Sequence, residues 1–464
     1  MSTFFKRRGC WLYSIVMLFP TAFIWAQEKP ITLSELVAAS KNYYPSIQQK
    51  RAFVNSAKAY SIDTKHGFLP QFRLSEQLNL STDNSIAGSY LPIGITASTS
   101  AGIRDQNNMA VAMGNMAVLY GDWTLVNFGL NKAKLNAADA IVRFEEVDYL
   151  REVYDIELTV AKTFFQFLKI QNRVNVDREN VERYQSVFKV IKALGKSGLI
   201  AGADSSLALA ELSKAKMNYN QSLGSLQQLK LQLVGITGIP ISKIVLVQPT
   251  ATVDILHPVY PNQVTDSISN PLILFYQRQK EILEANRQLI RKEYLPKIML
   301  AGSVWARGSS IQYNDQFKSL SEGLGYQRFN YALGIGVSYP LLNGLYKKDK
   351  LNINKFQLQA SEFELQNQQQ ALKIGMSQAI ASLATTDANL FELPSQLKAA
   401  EDIYHQKLAQ YKAGIISLID LTNASFVLYR SQTDYLDTVT DWYLAQLGKA
   451  AYGGNLDDFI QTIK

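Results

Sequence analysis

Groups able to do covalent, metal or proton chemistry are few in this chain and far apart. Its three histidines are His66, His257 and His405 and its one cysteine is Cys10, so no two of them stand at a metal-ligand spacing. The sequence holds no H-E-x-x-H, no Walker A run and no G-x-G-x-x-G, and a Ser, His, Asp triad picked from scattered residues would lack a nucleophile turn. Neither catalysis, a metal nor a cofactor is expected. Two carboxylates have a recurrent setting: Asp204 and Asp420 each follow a glycine, Gly198 and Gly414, by six residues. Taken alone, that spacing suits an acid near the N-terminal end of a helix, where unpaired amide groups favour negative charge.

The elements that position these residues emerge from composition and self-similarity. The 464 residues are 47% hydrophobic and 19% charged, which excludes disordered, collagenous and disulfide-stapled classes. Lys6, Arg7 and Arg8, an apolar run from Cys10 to Phe23 and a small residue at Ala26 read as a secretory signal over residues 1–26. Cys10 lies in that segment without the small and apolar residues that precede a lipidation site, so a mature chain from Gln27 is expected to carry no thiol, disulfide or lipid anchor. Losing three cations and no acids there lowers the net charge from +8 to +5, and the remaining Lys and Arg are dispersed, giving no nucleic-acid footprint.

The chain also repeats itself. Pro45 matches Pro271 and Leu69-Pro70 matches Leu295-Pro296 at an offset of 226; Trp123 and Tyr339, Asn127 and Asn343, Gly198 and Gly414, Asp204 and Asp420, and Gly238 and Gly454 match at 216. The expected organisation is a first repeat over 27–238 (a helix, a hairpin over about 68–127, a long helix 131–196, a helix 203–234), a linker 239–262, a second repeat over 263–454 (a helix, a hairpin over about 294–343, a long helix 345–411, a helix 417–450) and a tail 455–464.

Residues 329–339 alternate strictly, with Phe329, Tyr331, Leu333, Ile335, Val337 and Tyr339 on one face and Asn330, Ala332, Gly334, Gly336 and Ser338 on the other. Phe72, Leu74, Leu78 and Leu80 repeat the pattern more weakly. The loops at 82–106 and 308–327 are long and polar, as on the outer side of a membrane barrel. Phe329, Tyr331, Trp305, Tyr90 and Tyr339 are candidates for interfacial aromatic girdles. In the two long helical stretches glycine is almost absent and the only proline is Pro394. About 66 residues at roughly 1.5 Å each make a rod of about 100 Å, which needs neighbours along its whole length. A seven-residue stripe, Leu351, Leu358, Leu365 and Leu372 with Leu135, Val142, Tyr149 and Ile156 as counterparts, supplies the contact, and the polar run at 366–370 predicts a hydrated face.

Two hairpins make four strands, whereas an open sheet in lipid leaves backbone groups unsatisfied and closed barrels have about eight or more strands. If the strands cross a membrane, copies must combine. A structural coiled-coil envelope protein or adhesin with a small soluble sheet is the alternative reading; it accounts for the heptads and poorly for the duplicated hairpins.

The duplicated layout, Y-P-L-L-N-G at 339–344 with its counterpart W-T-L-V-N-F-G at 123–129, and the turns S-G-L-I-A and A-G-I-I-S together resemble the TolC family of outer-membrane efflux channels over nearly the whole mature chain. The resemblance implies an α+β membrane protein: a homotrimer with one 12-stranded outer-membrane β-barrel, four strands per chain, continued by a periplasmic α-helical barrel. It implies the passive exit duct of a tripartite efflux or type I secretion system, partnered by a periplasmic adaptor, an inner-membrane transporter and outer-membrane lipid. It further implies a periplasmic end closed by a link between Tyr411 and Asp204 and a pore ringed by Asp420, with Asn423 where the family has a second aspartate and Ile416 where it has an arginine. Three Asp420 carboxylates around one narrow path would favour cations. Gly198, Leu199, Ile200, Ala201, Gly414, Ile415, Ile416 and Ser417 correspond to the hairpin tips that meet the adaptor.

Overall fold

The computed structural model describes residues 31–82, 84, 105–196, 202–244, 270–312 and 316–463. The expected signal with Cys10, most of the 82–106 loop with Tyr90, most of the linker with His257, and the tip residues Gly198, Leu199, Ile200 and Ala201 lie outside the described residues.

The first repeat opens with α1 (Leu33–Tyr43) and α2 (Pro45–His66) where the pattern predicts one helix. Pro45 has no N–H to continue α1 and forces Tyr44 into an extended conformation, so it starts a new helix at its first position. Strands β1 (Gln71–Ser81) and β2 (Ala112–Val126) precede α3 (Leu130–Lys196) and α4 (Gly202–Thr237). The second repeat runs α5 (Pro271–Glu293), β3 (Lys297–Ser309), β4 (Arg328–Ser338), α6 (Asn343–Lys412) and α7 (Leu418–Gly453). Residues expected as a tail instead form α8 (Leu456–Thr462), whose Phe459 and Ile460 are buried in the main core.

The four strands make one antiparallel sheet in the order β1-β2-β3-β4, which leaves β1 and β4 as edges without a partner in the chain. The register places Leu74, Leu119, Val304 and Tyr331 in one cross-strand row, and Phe72, Gly121, Gly302 and Leu333 in the next, all on the same face. Phe329, Tyr331, Leu333, Ile335 and Val337 on that face are exposed, as are Phe72 and Leu74. The opposite face carries Arg73, Ser75, Gln77, Ser303, Asn330 and Ser338. Trp305 pairs with Asn330 and Val118 on this polar face, so it does not join Phe329 and Tyr331 in a girdle. The segment expected as a plain polar loop over 308–327 holds a short 3-10 helix, Leu320–Leu324, and an Ile311–Phe317 bridge.

Helices α3 and α6, at 67 and 70 residues, are about 100 Å long. Along α6 the buried positions Leu365, Leu372, Ala379, Thr386, Leu393 and Ala400 recur every seven residues, and the residues at 366–370 are largely exposed. Gly375 lies inside α6 because the Tyr452 ring of α7 passes over it; a Cβ there would come within 2.5 Å of the ring. Next to the sheet the helices lie in the order α2, α3, α5, α6; at the other end the order is α4, α3, α7, α6. Between these ends Phe164, Phe165 and Phe167 of α3 form the largest core with Leu33 and Leu36 of α1, Leu233 of α4, Leu447 of α7 and Phe459 of α8. No helix among the described residues is long and apolar enough to cross a membrane.

Candidate functional site

Of the residues singled out from sequence, Asp204, Tyr411, Gly414, Ile415, Ile416, Ser417, Asp420 and Asn423 lie at the end of the helices away from the sheet, where α4 begins and α6 turns into α7. Helix α6 stops because Gly414 takes a left-handed conformation (φ +73), and the Ile415 amide then donates to the Gln410 carbonyl at 3.0 Å and the Gly414 amide to Tyr411 at 2.9 Å. A side chain with Cβ is strained in that conformation. Ile415 projects into solvent, Ile416 is half-buried and Leu418 is buried.

Ser417 and Asp420 cap α7 reciprocally. The Asp420 amide donates to Ser417 Oγ at 3.3 Å, while the Ser417 amide and hydroxyl donate to Asp420 Oδ2 at 3.1 and 2.7 Å. These bonds from Ser417 hold the exposed Asp420 carboxyl below its ordinary value. Asp420, Asn423 and Val427 share an exposed stripe at helical spacing. Asp204 stands in the first turn of α4, the mirror position in the first repeat.

Tyr411 and Asp204 line one cleft of about 1170 Å³ between the hairpins, together with Arg183, Tyr404, Glu401 and Leu428. Burial, and then the charge of Asp204, raise the Tyr411 hydroxyl above its ordinary value, so the two groups sense each other. No hydrogen bond joins them among the described residues. An apolar cluster, to which the cleft-lining Val187 and Tyr404 belong, binds the two hairpins together: Val187 and Ile191 of α3, Ala208 of α4, Tyr404 of α6 and Leu421 of α7.

Deeper along the helices the structure reveals a polar tie that no sequence pattern indicated. Asp177 of α3 is buried and accepts from the Tyr429 hydroxyl of α7 at 2.7 Å and from the Ser222 hydroxyl of α4. The Tyr429 oxygen in turn accepts from Arg173 Nη2 at 2.9 Å, and Arg173 Nε lies 3.6 Å from Asp177. Burial and then Asp177 raise the Tyr429 hydroxyl, which therefore stays protonated and donating. Further along α3, Arg183 Nη2 reaches Gln432 of α7 at 3.2 Å and its guanidinium lies 6.0 Å from the Tyr404 ring centroid. Asp177 and Tyr429 are 252 residues apart in sequence, so only a long polar residue on an otherwise apolar stripe could have hinted at either.

A family model described as outer membrane efflux protein matches residues 37–239 and 269–450. No curated protein matches the chain. Among solved structures, the outer membrane protein VceC from Vibrio cholerae is 13% identical, with a TM-score of 0.73 over 91% of this chain and 96% of that one. The CmeC outer membrane channel of Campylobacter jejuni is also 13% identical, with a TM-score of 0.72 over 93% of this chain and 90% of that one. The open state of the MtrE outer membrane channel of Neisseria gonorrhoeae is 18% identical, with a TM-score of 0.68 over 91% and 89%. Members of the matched family are trimeric outer-membrane channels of efflux systems and not enzymes. With both repeats matched, the chain belongs to the outer membrane efflux protein family, an α+β outer-membrane channel with a helical periplasmic extension.

Proposed function

We propose that three copies of this chain form the exit duct of a tripartite efflux or type I secretion system, fed by a periplasmic adaptor and an inner-membrane transporter. The observation that carries this reading is the sheet: its apolar face is exposed and both its edges are open. In lipid, each unpaired edge group costs several kcal/mol, so β4 of one copy pairs with β1 of the next until the wall closes. Three such sheets give a 12-stranded barrel. On helices, exposed Phe356, Phe363 and Phe391 of α6 and Phe53 and Tyr60 of α2 are the apolar surface that neighbouring copies cover.

The tips support adaptor docking. Exposed Ile415 and Ile419 flank the Gly414 turn, and an apolar side chain held on a rigid turn is a ready contact for a partner helix. In this reading Gly198, Leu199, Ile200, Ala201, Ile416 and Ser417 belong to the same docking surface, Asp420 and Asn423 line the constriction, and Tyr411 with Asp204 holds the resting end closed. The duct is passive, with transport energy supplied by the partners. Electron-microscopy class averages of the detergent-purified protein test the assembly: a threefold particle with a micelle-wrapped barrel and a long tube is expected, and a compact monomer without a micelle refutes it.

A further inference from the structure

The apolar face of the sheet has two interruptions. Strand alternation puts Glu76 between Leu74 and Leu78 on that face, opposite Ala117, and puts Asn115 there opposite Leu78 and Gly308. A carboxyl and an amide facing lipid are costly unless something else satisfies them.

Residues 317–327, between β3 and β4, cross the same face. The Tyr326 hydroxyl donates to Glu76 Oε2 at 2.8 Å, and Asn115 Nδ2 donates to the Leu324 carbonyl at 2.7 Å. Backbone approaches fix the side of the wall independently. A Cβ on Gly308 would lie 1.9 Å from the Gly325 carbonyl oxygen, and one on Gly323 would lie 2.3 Å from that of Met113. Glycine is therefore required at both positions for the segment to lie flat on the strands. Its two ends are tied down as well: Met113 N donates to Ser310 Oγ at 2.8 Å and Gln327 N to the Arg307 carbonyl at 2.8 Å.

We infer that residues 317–327 are a strap on the outer wall of the barrel that inserts into the outer leaflet, its lipid-facing surface replacing the apolar surface that Glu76 and Asn115 break. Leu320, Leu324 and Tyr326 remain exposed on the strap and continue the apolar wall, with the Tyr326 ring amphipathic as befits the headgroup boundary. The strap runs from the β3–β4 hairpin over β2 to the edge strand β1, so it braces the sheet of one copy across its full width. This inference rests on the membrane-barrel reading.

Spin labels in vesicles of outer-membrane phospholipid and lipopolysaccharide test it, with Leu324→Cys on the strap, Leu333→Cys on the apolar face and Asn330→Cys on the polar face. Collision with oxygen is expected to exceed collision with a water-soluble nickel complex at positions 324 and 333, and the reverse at 330. A label at 324 that matches 330 overturns the strap while leaving the barrel intact; a label at 333 that matches 330 overturns the barrel itself. Adding Gly323→Ala or Tyr326→Phe is expected to move the label at 324 several-fold toward water with little change at 333. An unmoved label in both variants overturns the clasp.

Discussion

Replacing Tyr429 by Phe removes one oxygen from the tie between the two helical hairpins. That oxygen donates to buried Asp177 at 2.7 Å and accepts from Arg173 at 2.9 Å, while Asp177 keeps the Ser222 hydroxyl. A hydrogen bond to a charged group contributes about 1.5–3 kcal/mol, and the contribution here stays within that range because Ser222 and Arg173 still attend the carboxylate. If the hairpins separate at this level when the channel opens, the closed state loses the same amount, and the closed-to-open ratio falls about 10- to 150-fold. Single-channel recording in planar bilayers reads that ratio directly. A double-mutant cycle with Asp177→Asn separates the pair from its surroundings, with a coupling of about 1.5 kcal/mol or more expected for a direct bond of this kind. Open probability equal to wild type in Tyr429→Phe, together with coupling below about 0.5 kcal/mol, refutes the tie as a determinant of closure.

If Tyr411 with Asp204 holds the resting end closed as proposed, Tyr411→Phe combined with Asp204→Ala is expected to raise conductance, and unchanged conductance of the double variant refutes the link. Ser417 holds the Asp420 carboxyl below its unfolded value, so the capping contribution is present above the unfolded value and is lost as pH falls through the lower folded one. Protection of the amides in the first turn of α7, measured against their intrinsic exchange rate at each pH, is thus expected to fall on acidification in wild type and to be already low at neutral pH in Ser417→Ala, while Asp420→Asn is expected to lower cation preference measured as a reversal potential. Phe167→Ala empties a fully buried site in the largest core and costs about 3–5 kcal/mol, read as a drop in the thermal midpoint of the solubilised protein.

Much of the architecture was legible in the order of residues because it rests on local periodicity. The alternation at 329–339 is a property of a pleated strand with two unlike faces, and it needed no tertiary information to be seen. The heptads of α6 likewise follow from helix geometry alone, and two repeats in register made each weak motif stronger. Trp305 shows where aromatic identity misleads: its place on the polar face follows from counting along β3, and only the pairing of Ala306 with Phe329 sets that count. The break between α1 and α2 departs from the single helix expected there although Pro45 carries its signal, and the burial of α8 was not legible, since its apolar residues gain meaning only from Phe165 nearby.

The sequence by itself determined which stretches are strands and rods, that the chain is duplicated, that its sheet has an apolar side, and that no cluster of catalytic groups is present in its motifs. These depend on neighbours a few residues apart, or on a constant offset. The tertiary structure alone decided that Asp177 meets Tyr429 across the hairpins, that Ser417 and Asp420 cap each other at an exposed tip, and that Tyr326 reaches Glu76 over the barrel wall. A hydrogen bond between residues 250 apart in the chain, as for Tyr326 and Glu76, leaves no periodic trace, because its geometry is set by how whole helices and strands pack and not by the residues on either side.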